Sequence, residues 1–144
     1  MPTFLVPFDN SERSERVLQH VICTAQGREA LKIHLLNVCE PITAWEVRRF
    51  LKDEEITRMQ QDAGEASLRR ACDLLDQAGL TYEPHVVIGP IAKTIVDCAL
   101  KYGCEHIFIG TRGHGGLLGM FRRSVAAKVI QRAQVPVTVV KGGR

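Results

Sequence analysis

Short apolar runs alternate along the chain with longer stretches in which apolar residues recur every three or four positions. The run Thr3 to Pro7 (TFLVP) predicts a buried strand ending in the turn Phe8-Asp9-Asn10. Val17, Leu18, Val21, Ile22 and Ala25 then form a one-sided stripe at helical spacing, which Asn10 or Ser11 can cap and Gly27 stops. Leu31 to Val38 (LKIHLLNV) predicts a second strand. A long helix follows over Asp53 to Gln77, with Ile56, Met59, Ala63 and Ala66 on one face, then Ala71, Leu74, Leu75 and Ala78, before Gly79. Asp53-Glu54-Glu55 suits its positive end. Tyr82 to Ile88 predicts a third strand, and Pro84 within it predicts a sheet edge, because proline cannot donate to a ladder. Gly89-Pro90 opens a helix through Ala92, Ile95, Val96 and Ala99, ending at Gly103. His106 to Gly110 (HIFIG) predicts a fourth strand. Ser124 opens a last helix with Val125, Ala126, Val129, Ile130 and Ala133, and Val135 to Lys141 predicts the last strand.

Strands separated by helices need crossovers, so this order predicts an α/β fold: one open, five-stranded, mainly parallel sheet with helices on both faces. A length of 144 residues fits one domain, residues 1–144. The run from Ile42 to Lys52 stays open at this level; Trp45 and Glu46-Val47-Arg48-Arg49-Phe50 fit either a lid over the site or a surface helix.

Composition narrows the chemistry. A net charge of +3 is too weak to argue for nucleic acid and mildly favours anionic ligands. No apolar run approaches a membrane span, and the start of the chain lacks the pattern of a signal peptide, so a cytosolic protein is expected. Cys23, Cys39, Cys72, Cys98 and Cys104 are odd in number and show no CxxC spacing, which predicts small core residues rather than a disulfide framework or zinc site. His34, His85 and His106 lie in or beside strands at no metal-ligand spacing and read as structural. No Ser/His/Asp or Cys/His catalytic set is identifiable.

Open parallel sheets bind ligands at the carboxyl ends of their strands. Three turns lie there: Phe8-Asp9-Asn10, Val38-Cys39-Glu40 and the loop from Gly110 to Ser124, which reads GTRGHGGLLGMFRRS. Its glycines permit close approach of a ligand, the following helix offers free N–H groups, and Arg112, His114, Arg122, Arg123 and Ser124 add donors or charge. The composition fits an anion cradle, and equally a solvated glycine loop. It is neither a Walker A loop nor a dinucleotide fingerprint.

The residues resemble the universal stress protein family over the whole length, through VPFDNSERS, HLLNV, VVIGPIAKTIVDCA and HIFIGTRGHGGLLGMFRRSVAAKVIQRAQVPVTVVK. Members of that family that bind ATP carry G-x2-G-x9-G-[ST]. Gly110, Gly113 and Ser124 match it, and Arg123 stands where its third glycine is expected. The resemblance implies a Rossmann-like fold of the adenine nucleotide alpha hydrolase type. It also implies a dimeric stress-response regulator that responds to ATP, with Mg²⁺ bridging phosphates and at most slow hydrolysis. Gly110, Gly113, Arg123 and Ser124 would meet phosphate, Asp9 would meet adenine and ribose, and Pro7, Val38 and Val125 would line the same site. Asp9 equally suits an Asx-turn or a helix cap, and Pro7 and Val38 plain packing. The family also implies a homodimer through the last strand, 135–141, with no nucleic acid or membrane partner. Arg123 keeps open a family member without ATP, acting as a protein-interaction or small-anion module.

Overall fold

A computed structural model describes residues 2–27, 30–111 and 124–141. Five strands form one sheet: β1 (Thr3–Pro7), β2 (Lys32–Cys39), β3 (Thr81–Ile88), β4 (His106–Thr111) and β5 (Val137–Lys141). Their spatial order is β3-β2-β1-β4-β5, and every pairing is parallel. The helices are α1 (Glu12–Ala25), α2 (Trp45–Arg48), α3 (Asp53–Ala78), α4 (Ile91–Lys101) and α5 (Val125–Arg132).

Alternation along the central strands supplies both layers of the core. Phe4, Val6, Ile33, Leu35 and Phe108 pack with the apolar stripe of α1 and with Leu68, Ala71 and Leu75 of α3, whereas Met59, Ala63 and Ala66, expected on the packed face, are exposed. Leu5, Leu36, Ile107 and Ile109 pack with those of α4 and α5 on the opposite face. Both faces of β1 and β2 are covered, which is why these strands read as continuous apolar runs.

Local chemistry sets the boundaries. Ser11 is the residue that caps α1: its Oγ accepts from the Ser14 N–H at 3.1 Å, and Ser14 Oγ accepts from the Ser11 N–H at 3.1 Å. Asn10 instead takes the left-handed turn before the cap, at φ 65°. Gly79 ends α3 at φ 70°, a conformation that disfavours a Cβ. At the acidic start of α3, Glu55 Oε1 accepts from the Lys52 N–H at 3.1 Å.

Pro84 lies on the outermost strand β3, as its missing N–H requires. The last strand is shorter than expected and starts at Val137, with the Pro136 carbonyl accepting from the Ile107 N–H at 3.0 Å. Between Ile42 and Lys52 the chain forms the short surface helix α2. Trp45 and Phe50 are exposed there, with the Arg49 guanidinium over both rings. All five cysteines are free. Cys98 and Cys104 are buried as expected, whereas Cys23 lies on the exposed face of α1. Burial pushes the Cys104 thiol up to about 11, so it stays protonated and inert. No helix of the described residues is long and apolar enough to cross a membrane.

Candidate nucleotide site

The chain turns outward from β1 through β2 to β3 in one direction and from β4 to β5 in the other. The crevice of such a sheet lies where the order reverses, beyond the carboxyl ends of β1 and β4. Asp9 follows the first of these strands, and Gly110 lies within the end of the second.

Two bonds fix the turn after β1. The Phe8 N–H donates to the Leu36 carbonyl at 2.8 Å, and Asn37 Nδ2 donates to the Phe8 carbonyl at 3.0 Å. Asn37 is buried, and its Oδ1 accepts from the Cys39 thiol at 3.3 Å. A lone amide within an apolar strand thus carries the turn that presents Asp9. Asn37 is not among the residues singled out from the sequence; its signal is the one side-chain amide within the strand HLLNV. Asn37→Ala is expected to cost about 1–2 kcal/mol, because the Phe8 carbonyl is left without its partner. Urea denaturation of wild type and variant measures this.

Asp9 takes the Asx-turn role of the two simpler ones read for it, while the cap itself is Ser11. Its Oδ1 accepts from the Ser11 N–H at 3.0 Å, closing an Asx-turn, and from Ser14 Oγ at 2.9 Å. Its Oδ2 lies 3.8 Å from an Arg13 guanidinium nitrogen, and the side chain is 58% exposed. Partial burial pushes the carboxyl pKa up, but the bonds from Ser11 and Ser14, with Arg13 alongside, outweigh it and hold the group below its ordinary value. Asp9 is therefore ionised at neutral pH. One oxygen is committed to the helix start, and the other faces outward.

Gly110 sits under α1. A Cβ there would lie 2.7 Å from Arg13 Cγ and 2.8 Å from Val17 Cγ2. Its φ is not among the positive ones, so space rather than backbone conformation demands glycine. Pro7 and Leu5 share a face by alternation, as do Val38 and Leu36, and both pairs turn toward the α4 and α5 layer. Pro7, Val38 and Val125 are each half-buried. Ser124 caps α5, its Oγ accepting from the Ala127 N–H at 3.3 Å. Arg112, Gly113, His114, Arg122 and Arg123 lie outside the described residues.

The described part of the site therefore offers an ionised carboxylate, a half-buried apolar ledge and the amino terminus of a helix. This donor set suits a ligand with an apolar ring, hydroxyl or amine donors, and an anionic end.

His106 is structural as expected: it stacks on Phe108 with ring centroids 4.5 Å apart, and its Nε2 meets Thr138 Oγ1. His34 and His85, which are 51 residues apart in the chain, meet at 2.9 Å through their ring nitrogens. Linear spacing hides this pairing, which the β2–β3 register creates.

Comparison with known proteins agrees with this architecture. The model of the universal stress protein family matches residues 1–141. Universal stress protein MJ0531 of Methanocaldococcus jannaschii is 27% identical, over 95% of this chain and 80% of that one. Universal stress protein Sll1388 of Synechocystis is 25% identical, over 95% and 96%. Among solved structures, the hypothetical protein MJ0577 superposes with a TM-score of 0.83 at 26% identity, covering 99% of this chain and 97% of that one. The universal stress protein from Archaeoglobus fulgidus in complex with dAMP superposes with a TM-score of 0.68 at 25% identity, covering 98% of each chain. A universal stress protein in complex with cAMP shares the fold, with a TM-score of 0.76 at 23% identity over 99% and 98%. With a family match over residues 1–141 and solved structures that share its fold, the chain belongs to the universal stress protein family.

Proposed function

We propose that this protein binds an adenine nucleotide, ATP with Mg²⁺, at the carboxyl ends of β1, β2 and β4, and acts as a ligand-dependent regulator rather than as an efficient enzyme. The observation that carries the reading is the spacing Gly110, Gly113, Ser124. Gly110 lies at the end of β4 and Ser124 at the start of α5, so the glycine-rich loop is bracketed by a strand end and a helix amino terminus at the crevice. The Archaeoglobus fulgidus relative in complex with dAMP supports the same class of ligand. In this reading Asp9 Oδ2 accepts from ribose or adenine donors, Pro7, Val38 and Val125 line the base, and Gly113, Arg123 and Ser124 meet the phosphates.

Calorimetry with ATP and Mg²⁺ is expected to give one site per chain with a Kd of about 1–100 μM. Absence of heat up to millimolar nucleotide overturns the reading. Arg123→Gly separates two roles for the arginine. A loss of about tenfold or more assigns a charge-assisted grip on phosphate, and a gain assigns obstruction of the loop.

Arg123 also favours a second reading, a family member that works without ATP through a smaller anion or a protein partner. ATP retained through purification and released on denaturation would exclude it.

β5 is an outermost strand with Val139 exposed, and it supports a homodimer through that edge. A monomer by light scattering at about 10–50 μM would remove this element of the proposal.

A further inference from the structure

The edge of the sheet opposite β5 carries a cluster that the nucleotide site does not use. The β2–β3 register sets His34 beside Glu83 and Leu36 beside His85. Alternation places His34, Glu83 and His85 on the face covered by α4. His34 Nδ1 is 2.9 Å from His85 Nε2, and Glu83 Oε2 is 3.3 Å from each nitrogen. Both imidazoles lie flat against the Tyr102 ring at the end of α4, with centroids 4.8 and 4.1 Å away and planes within 13°. His34 is buried, His85 half-buried, and the Glu83 side chain 51% exposed. The cluster lies toward the amino ends of the strands. His34 is four residues, or about 13 Å, before Val38 on β2.

Three lone-pair atoms facing one another at these distances leave a bonding problem. With both rings neutral, one N–H serves the His34–His85 contact, and the nitrogen that accepts it presents its lone pair to a carboxylate oxygen. A cation among the three atoms satisfies all of them. Ligands about 2.0–2.1 Å from a tetrahedral Zn²⁺ are about 3.3 Å apart along each edge. Two of the three separations already have this length, and the third reaches it by a small outward swing of the rings.

We propose that His34 Nδ1, His85 Nε2 and one carboxylate oxygen of Glu83 bind a divalent transition-metal ion of the Zn²⁺ class, with the fourth position open to solvent beside Glu83. Two imidazoles and one carboxylate select such an ion over Mg²⁺ or Ca²⁺, which take oxygen ligands. Tyr102 orients the rings. Lys32, whose Nζ lies 3.8 Å from Glu83 Oε2, is the cation that the metal displaces.

The test is a titration of metal-stripped, nucleotide-free full-length protein with Co²⁺, read by visible d–d absorption and followed by displacement with Zn²⁺. One equivalent is expected, with no near-ultraviolet thiolate charge-transfer band, which separates this site from any that uses the five cysteines. Glu83→Gln and His85→Gln are each expected to weaken binding at least about tenfold, a loss that even supporting residues of metal sites produce. Lys32→Met is expected to tighten it, which removal of a merely structural contact would not do. Glu83 is half exposed, so Glu83→Gln retains the fold and keeps the test decisive even where His85→Gln does not fold. Absence of saturable 1:1 binding, a thiolate band, or equal affinity in Glu83→Gln overturns the proposal.

Discussion

Gly64→Ala is expected to lower stability by about 1–2 kcal/mol, although the same exchange in an exposed helix interior raises it by about 1 kcal/mol. Gly64 lies buried in the middle of α3, where the helix crosses β2 and β3. A Cβ there would collide with Val86 Cγ1 and come within 3.0 Å of Asn37 Oδ1. Val86 is held in a strand with little rotamer freedom. Asn37 is bonded to the Phe8 carbonyl. Neither can yield without α3 lifting or the β1 turn losing its anchor. Thermal and urea unfolding measure the effect, and a double-mutant cycle identifies its cause. In Gly64→Ala/Val86→Ala the added methyl enters the space vacated by the valine. The pair should therefore be more stable than the sum of the single variants predicts by about 1 kcal/mol or more. Additive costs would place the strain elsewhere.

Gly110→Ala is expected to cost about 2–3 kcal/mol, at the upper end for overpacking, and to do so with or without nucleotide. The new methyl would meet Arg13 Cγ and Val17 Cγ2 below 3.0 Å and the Arg13 carbonyl at 3.3 Å. Val17 is fully buried and the carbonyl belongs to the helix, so α1 itself must move. The measurement is the urea midpoint in nucleotide-free buffer. A drop there assigns Gly110 first to helix packing; an unchanged midpoint would return it to the phosphate loop alone. The residue is thus shared between scaffold and site: its motif position is read from the sequence, its steric role only from the fold.

The fold was legible because its strongest signals are local. Each apolar run between helical stripes became a strand, and Pro84 announced an edge through the donor it lacks. The run from Ile42 to Lys52 was ambiguous because α2, at four residues, spans barely more than one turn and shows no repeat of a periodic signal. The site divided in the same way. Asp9 was identifiable from its place after β1, but not the division of its two oxygens, which depends on Ser14 five residues later. Asn37, Gly64 and the His34–Glu83–His85 group escaped because their meaning is set by strand register and helix height. No spacing rule along one chain encodes either quantity.

The position of Pro84 also bears on how copies of this chain could add to one another. An open sheet has two outer strands, and growth into a filament needs both to accept a neighbour. β3 presents Pro84, without an N–H, near its middle, so a strand laid along it would meet a gap in the ladder. β5 runs Val137–Lys141 without a proline. In the proposed dimer, edge association would therefore have a valence of one. If two copies join at β5 as proposed, only proline-interrupted edges are left outside, and the assembly would stop at a closed pair.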